Sequence, residues 1–302
     1  MWQQLLKQIT TGDTKALARS ISYVENEQDG YEDFLSNLPQ ATARIVGITG
    51  PPGAGKSTLV DGLIEMIVDE GKKVAVLCVD PSSPFNLGAV LGDRIRMSQW
   101  YTHENVFIRS LATRGAMGGL HPRIIEITEL VKVAGYDYII IETVGVGQSE
   151  IEIAGLADTT VVVMVPEAGD EVQTMKAGLM EIADVFVVNK SDRPDADAFT
   201  RNLRLMLAPA FSNHKEEIAI IKTVASQKEG LKELFEAVEK HAEAHQQNPK
   251  KFWLLAEKAW KLIEAHRMKN ISKSKLADEI SRMENGSFNL YRFARQYYSP
   301  ES

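Results

Sequence analysis

The sequence contains very little cysteine. Cys78 is the only cysteine among 302 residues, and it lies in the apolar stretch VAVLCVD. A single chain can therefore form neither an intramolecular disulfide nor a cysteine-based zinc site. Because a free cysteine behaves as a small apolar residue, we expect Cys78 to be buried in a strand. The six histidines show no cluster with the spacing of metal ligands.

The chain also lacks an excess of positive charge and a long apolar run. It carries 34 basic and 41 acidic residues, a formal net charge of −7, which argues against a nonspecific nucleic-acid binder. No stretch reaches the ~18 uncharged apolar residues of a membrane-spanning helix. The opening residues, MWQQLLKQITTGDTK, show no signal-peptide core or cleavage site. We expect a cytoplasmic protein that binds neither nucleic acid nor membranes.

Apolar stretches of strand length recur after residue 44, and helical patterns separate most of them. They are RIVGIT, KVAVLCV, NVFIRS, YDYIII, TTVVVMV, DVFVVN and EIAIIKT. Nearly continuous apolar strands that alternate with helices are typical of parallel sheets covered on both faces. The sequence therefore predicts an α/β fold, a mostly parallel sheet flanked by helices, and the stretch GPPGAGKS after the first strand makes it the P-loop NTPase type. Ligands of such folds bind beyond the carboxyl ends of the strands.

Helical extensions are predicted on both sides of this domain. Residues 1–40 form the first and residues 247–302 the second, so the domain itself spans residues 41–246. The second extension contains NPKKFWLLAEKAWKLIEAHRMKN, which predicts a helix with Phe252 and Ile263 on one apolar side. The tail GSFNLYRFARQYYSPES is rich in aromatic residues, which favour burial against their own domain or in a subunit interface.

A phosphate-binding loop follows the first strand. GPPGAGKS, residues 50–57, matches G-x-x-x-x-G-K-[ST] in full between a strand and a helix, the context that the motif requires. Lys56 is expected to reach the β- and γ-phosphates and to act in catalysis, and the Ser57 hydroxyl is expected to bind magnesium. The residues assigned to the phosphates are Gly50, Gly53, Ala54, Gly55, Lys56, Ser57 and Thr58.

A guanine-recognition motif follows a later strand. VVNKSD contains Asn189, Lys190 and Asp192 in the N-K-x-D pattern of GTPases. The Asp192 carboxylate can accept from N1–H and the exocyclic amine of guanine, whereas adenine has no N1–H and would leave it unpaired. Ala225, in the stretch TVAS after the next strand, is expected to close over the base. The sequence therefore predicts binding of GTP and GDP.

Acidic residues near strand ends are candidate magnesium ligands, since this ion prefers oxygen donors. Asp80 ends the strand after the P-loop helix, Glu142 directly follows YDYIII, and Asp93 lies in LGDRIRM. We assign them to the metal together with Ser57. A turn residue before a proline remains the alternative for Asp80, and a helix N-cap remains the alternative for Asp93.

Several further stretches complete a resemblance to a known family. CVDPSSP, LGDRIRM, IRSLATRGAMGGL, ETVGVGQSE and VPEAGDEVQTMKAGLMEIADVFVVNKSD together resemble the methylmalonyl-CoA mutase-associated GTPases, the MeaB/ArgK group of the SIMIBI class. The resemblance implies a homodimeric GTPase that gates adenosylcobalamin loading and protects or reactivates a cobalamin-dependent acyl-CoA mutase. It also implies that Asp80, Asp93 and Glu142 lie around magnesium.

The same resemblance implies roles for two residues of a further loop. Asp170 and Lys176 match a mobile loop that couples the nucleotide state to the mutase, and we count both as catalytic candidates. Arg114, in the glycine-rich stretch TRGAMGGL, could approach a phosphate or a partner, as could Arg109. Surface salt bridging is the alternative for the two arginines.

The loop ETVGVGQSE lacks the glutamine that orients the attacking water in small GTPases. Val146 follows Gly145, and Gln148 would need an unusual turn to replace that glutamine. We therefore predict slow hydrolysis by the chain alone and stimulation by a partner. A nickel-delivery GTPase, a small-molecule phosphotransferase and a GTPase with another protein client remain alternatives.

Overall fold

A seven-stranded parallel sheet forms the centre of the fold. The computed structural model describes residues 1–80, 97–113, 120–143, 150–168, 182–211, 218–244, 249–283 and 288–298. The strands are β1 (Arg44–Thr49), β2 (Val74–Asp80), β3 (Val106–Ala112), β4 (Tyr138–Glu142), β5 (Thr159–Met164), β6 (Val185–Val188) and β7 (Ala219–Lys222). Their order is β3-β2-β4-β1-β5-β6-β7, and every pairing is parallel. The predicted α/β fold is confirmed.

Helices cover both faces of this sheet. They are α1 (Trp2–Thr10), α2 (Thr14–Glu25), α3 (Tyr31–Ser36), α4 (Lys56–Asp69), α5 (Ile124–Val133), α6 (Glu150–Leu156), α7 (Ala196–Phe211) and α8 (Leu231–Ala244). Successive strand residues point to opposite faces. Val185 and Val187 accordingly pack in the core shared with α4 and α8, whereas Phe186 and Val188 pack in the core shared with α7. Buried apolar residues on both faces explain the continuous apolar strands of the sequence.

Aspartates fix the starts of several strands. Each accepts a hydrogen bond of 2.8 Å from the backbone amide of an adjacent chain segment. The pairs are Asp158 with Ile45, Asp137 with Lys73, and Asp184 with Thr160. These three amides lie at or beyond the ends of the hydrogen-bonded strand pairs. The carboxylates therefore accept from backbone N–H groups that would otherwise lack a backbone partner.

The N-terminal helices pack in the same compact unit as the sheet, which comprises Met1–Phe252. Asp13 caps α2 by accepting from the amides of Lys15 and Ala16. The Trp2 ring stacks on Phe34 with centroids 4.6 Å apart, and α2 packs against α5. The predicted helical character of the first residues is therefore present in the fold.

A partly buried ion pair connects α2 with strand β3 of the sheet. Arg109 of β3 donates to the carboxylate of Glu25 and, at 3.0 Å, to the hydroxyl of Ser22. The Nε2 atom of His121 lies 3.7 Å from the same carboxylate. In this structure Arg109 thus forms a partly buried salt bridge with a residue of α2.

A second compact unit comprises Trp253–Ser302. Helix α9 (Pro249–Arg267) runs across the boundary and is followed by α10 (Lys273–Met283) and α11 (Leu290–Ala294). Trp253 and Trp260 of α9 are exposed to 77% and 70%. In the aromatic tail, Phe293 is buried against neighbouring aromatic rings, whereas Tyr291 and Tyr298 are exposed. Burial on the chain's own domain and burial in a subunit interface both stay open as predictions for the tail.

None of the helices in the described ranges is both long enough and apolar enough to cross a membrane.

Candidate nucleotide site

The loop after β1 has two positions that exclude a side chain. Gly50 has a φ of +137°, and a Cβ atom there would lie 2.0 Å from the carbonyl oxygen of Val163. Gly55 has a φ of +91°, and a Cβ atom there would lie 2.3 Å from Nδ2 of Asn189. Left-handed backbone and close approach both favour glycine. The two ends of the loop are thus held against neighbouring segments.

Lys56 begins α4, and its ammonium returns to the start of the loop. Its Nζ atom donates to the carbonyl oxygens of Gly50 at 2.8 Å and Pro51 at 3.1 Å, and the residue is only 7% exposed. Ala54 is fully buried, whereas Gly53 is exposed. Backbone amides at the start of a helix, together with the helix dipole and this ammonium, form an environment suited to phosphate groups.

Candidate oxygen ligands lie in α4 and at the ends of the neighbouring strands β2 and β4. The Ser57 hydroxyl donates to Oε1 of Glu142 at 2.8 Å. Asp80 and Glu142 are buried, and the register places Glu142 beside Cys78 of β2. The described residues hold no group of three His, Cys, Asp or Glu side chains that could bind a metal by themselves. One hydroxyl and two carboxylates nevertheless suit magnesium, which retains waters and shares phosphate oxygens.

Asn189 connects the phosphate loop with the predicted guanine site. Its Nδ2 atom donates to the carbonyl oxygen of Ala54 at 2.8 Å. Its Oδ1 atom accepts from the Thr223 hydroxyl at 3.0 Å and from the Ala225 amide at 3.1 Å. One buried side chain thus connects its own segment to two others that the sequence assigns to the nucleotide.

Lys190 and Asp192 flank this connection and reach the surface. Lys190 has a φ of 57°, and its Nζ atom donates to the carbonyl oxygen of Gly53 at 2.7 Å. The left-handed backbone turns the chain sharply after β6, and Asp192 is exposed at the carboxyl edge of the sheet. Among the described residues, the carboxylate of Asp192 is therefore accessible to an incoming base.

An ion pair lies close to the same edge. Arg193 donates to the carboxylate of Glu167 and holds the pKa of that carboxyl below its ordinary value. Glu167 follows β5, so the pair connects the segment after β5 with the segment after β6. Sequence reasoning missed this pair, because nothing local in either stretch indicates that the two segments meet.

Of the remaining predicted site residues, some lie within the residues that the structure describes and others do not. Thr58 lies in the first turn of α4 and is half-buried. Four predicted residues lie outside the described residues, and so does the loop that contains Val146 and Gln148. The four are Asp93, Arg114, Asp170 and Lys176.

A comparison of the sequence with protein families agrees with this arrangement of a phosphate loop, a guanine-recognition motif and candidate oxygen ligands for a metal. Residues 17–283 match the model of the methylmalonyl Co-A mutase-associated GTPase MeaB. The chain belongs to the MeaB family. It is therefore a GTPase, and the resemblance seen in its motifs is confirmed.

Individual relatives support the assignment of this MeaB-family chain. A Pyrococcus abyssi protein named as a GTPase is 47% identical over 248 residues, which cover 80% of this chain and 76% of that protein. The mouse methylmalonic aciduria type A homolog, mitochondrial, is 43% identical over 161 residues, covering 53% and 39% of the two chains. The solved LAO/AO transport system kinase has a TM-score of 0.67 at 26% identity, covering 98% and 96%.

Proposed function

We propose that this chain is a GTP-dependent chaperone of an adenosylcobalamin-dependent acyl-CoA mutase, such as methylmalonyl-CoA mutase. In this role it gates the loading of the cofactor and protects or reactivates the mutase. The family match over residues 17–283 carries the proposal, because the family is described by its association with methylmalonyl-CoA mutase. The name of the mouse relative also refers to methylmalonic acid. A cytoplasmic location remains a prediction.

The nucleotide in this proposal lies along the carboxyl edge of the sheet. Gly50 to Thr58 hold the phosphates, Lys56 neutralises charge on the transferred group, and Asp192 reads guanine. The contacts of Asn189 with Ala54 and Ala225 support this assignment, because they bring the two halves of the site together.

Magnesium in this proposal is held by Ser57, Asp80 and Glu142, with Asp93 as a further candidate. The ion would supply charge neutralisation at the β- and γ-phosphates. The 2.8 Å contact between Ser57 and Glu142 supports the assignment, since it brings a hydroxyl and a carboxylate to one point beside the phosphate loop.

Slow hydrolysis is the feature that turns this site into a checkpoint. Without a glutamine after Gly145, the free protein would remain in its GTP state until a partner supplies a missing group. Lys176, Asp170 and Arg114 are our candidates within the chain. A switch of this kind acts only through different partner contacts in its two nucleotide states.

A homodimer is part of the proposal. Large apolar side chains of α9 are exposed in the single chain, Trp253 and Trp260 most of all. Exposed apolar patches of this kind mark interaction surfaces. We propose that the C-terminal residues 247–302 form the subunit contact.

The deciding experiment measures GTP hydrolysis by the purified protein with and without the mutase from the same cell. We expect slow turnover alone and a many-fold increase with the mutase. Lys176→Ala and Arg114→Ala should reduce the stimulated rate. The matched controls Lys232→Ala and Arg204→Ala, which remove exposed charges from helices of the GTPase domain, should not. Ordinary enzyme rates without the mutase, unchanged by its addition, would contradict the proposal.

Product analysis and metal titration address the remaining alternatives. A phosphorylated small-molecule acceptor would indicate a phosphotransferase, and tight binding of nickel would indicate a metallochaperone. The part of the chain that the structure describes offers no three-ligand cluster of His, Cys, Asp or Glu for such a metal.

A further inference from the structure

The ion pair of Arg193 and Glu167 lies next to the residue that the sequence assigns to guanine. Arg193 directly follows Asp192 in the chain, and its guanidinium donates to the carboxylate of Glu167. Glu167 belongs to the short 3₁₀-helix Pro166–Ala168, which follows β5. The side chains of Arg193 and Glu167 are 44% and 50% exposed, so solvent and salt reach the pair. The pair connects the turn after β6 with the end of the neighbouring strand β5.

The backbone is held on both sides of Asp192, whereas its side chain is not. Before it, the Ser191 amide donates to the carbonyl oxygen of Thr223 at 3.0 Å. After it, the Arg193 amide donates to the carbonyl oxygen of Lys190 at 3.1 Å. The structure records no hydrogen bond or ion pair between the exposed Asp192 side chain and another described residue. The direction of its carboxylate therefore depends on how firmly this turn is held.

Two positively charged side chains fix the turn to neighbouring segments. The Nζ atom of Lys190 donates to the carbonyl oxygen of Gly53 in the phosphate loop at 2.7 Å. Arg193 makes the corresponding contact on the other side, with Glu167. The Glu167 carboxylate also feels the positive charge of Lys190, and its pKa is lowered chiefly by the hydrogen bond from Arg193. The turn is thus attached to the phosphate loop by one cation and to the segment after β5 by the other.

We propose that Arg193 is a positioning residue for base recognition, whose ion pair with Glu167 holds the turn so that the Asp192 carboxylate can accept from both N1–H and the exocyclic amine of guanine. The inference rests on the proposed assignment of Asp192 to guanine. Two hydrogen bonds to one carboxylate require a definite direction of that group, because misaligned hydrogen bonds weaken steeply. Loss of the ion pair should therefore weaken binding of guanine more than binding of a base that forms only one of these bonds.

Inosine diphosphate (IDP) tests this role, since its base keeps N1–H and lacks the exocyclic amine. The readout is the ratio of the Kd for IDP to the Kd for GDP, measured by titration calorimetry on the full chain. For the wild type we expect a ratio of about tenfold to a hundredfold, the scale of one hydrogen bond to a charged group. Arg193→Ala and Glu167→Gln should each lower this ratio about twofold to fivefold, the scale of an ion pair with this exposure.

Further variants and salt separate positioning from a general loss of structure. Arg193→Lys keeps the positive charge and should retain part of the ratio. Arg193→Ala combined with Glu167→Gln should lose no more of the ratio than either change alone, if both residues act through one ion pair. Raising the salt concentration from about 0.1 M to about 1 M should lower the ratio of the wild type and leave that of Arg193→Ala nearly unchanged, because salt screens exposed charges.

Glu70→Gln is the matched control. Glu70 pairs with Lys72 at 2.7 Å, and their side chains are 46% and 39% exposed, close to the values of the tested pair. The control pair precedes β2, so it lies at the amino edge of the sheet, away from the turn after β6. Its loss should leave the ratio of the two Kd values unchanged.

The outcomes distinguish this inference from the assignment on which it rests. A wild-type protein that binds IDP as tightly as GDP would overturn both, since Asp192 would then not read the amine. If the wild type discriminates and Arg193→Ala discriminates equally well, only the positioning role is overturned. Equal losses for GDP and IDP, or additive losses in the double variant, would overturn it as well.

Discussion

The side-chain amide of Asn189 donates a hydrogen bond of 2.8 Å to the carbonyl oxygen of Ala54, which lies 135 residues earlier in the chain. Its oxygen accepts from Thr223 and from the amide of Ala225. The phosphate loop and the segment of Thr223 and Ala225 are therefore held by the two ends of one planar amide group. Nucleotide binding by either loop should depend on this single side chain.

Replacing Asn189 with alanine should weaken GDP and GTP binding together. The change leaves the buried donors of Thr223 and Ala225 without this acceptor, and unsatisfied buried groups cost about 1–3 kcal/mol each. We expect a loss of about tenfold to a hundredfold in affinity for both nucleotides, measured by titration calorimetry. Asn202→Ala, at an exposed position of α7, is the control and should change neither affinity. A loss confined to GTP would contradict this explanation.

Replacing Asp192 with asparagine should change the preferred base. The carboxylate offers only acceptors, which suit the N1–H and amine of guanine, whereas the amide offers one acceptor and one donor. Xanthine has a carbonyl in place of that amine, so the amide can pair with it. We expect GTP binding to weaken about tenfold to a hundredfold and xanthosine triphosphate to become the better competitor.

Competition binding with both triphosphates tests this change of base. Asp195→Asn alters a second exposed aspartate three positions away and should leave the guanine preference as it is. If Asp192→Asn still prefers guanine by the wild-type ratio, Asp192 does not read the base.

Contiguous motifs could be predicted from the sequence, but contacts between distant segments could not. The seven strands and the phosphate loop each lie within one short stretch, so local spacing reports their backbone directly. The contact between Asn189 and Ala54 depends on the strand order, which places β1 beside β5 and β6 next to that. No local pattern encodes that order.

The partners of charged residues could not be predicted from the sequence either. In the sequence, Arg109 is a charged residue in a predicted strand. The sequence alone left three possible contacts of its side chain open: a phosphate, a partner protein or a surface salt bridge. Its actual partner is Glu25, 84 residues earlier in α2. Only the packing of the N-terminal helices against β3 and α5 decides between these possibilities.

Replacing Glu25 with glutamine should destabilise the fold. The Glu25 side chain is 9% exposed and Arg109 is 24% exposed, so solvent screens the pair only partly. Hydrogen bonds to charged groups contribute about 1.5–3 kcal/mol, and we expect the free energy of unfolding in urea to fall by that amount.

The matched control for Glu25 is Glu236→Gln. Glu236 pairs with Lys232 at 3.9 Å on α8, with exposures of 65% and 79%, so its removal should cost less than about 0.5 kcal/mol. Equal effects of the two substitutions would show that the partly buried pair of Glu25 and Arg109 stabilises the fold no more than an exposed pair.

The stability of the GTPase domain should fall at alkaline pH because of Tyr136. This residue is 5% exposed, its ring lies 6.0 Å from that of Phe107, and burial raises its pKa from 10.0 to about 12. The unfolded chain releases the phenolic proton near pH 10, whereas the folded chain retains it. The stabilisation is therefore complete below pH 10 and is lost as the pH rises through about 12, amounting to about 2–3 kcal/mol.

Urea unfolding across this pH range should show the decline in the free energy of unfolding. Tyr136→Phe should remove the part of the decline that is due to Tyr136. The control Tyr31→Phe, at a half-buried tyrosine of α3, should leave most of the decline in place. A pH dependence identical in Tyr136→Phe and the wild type would assign the decline to other groups.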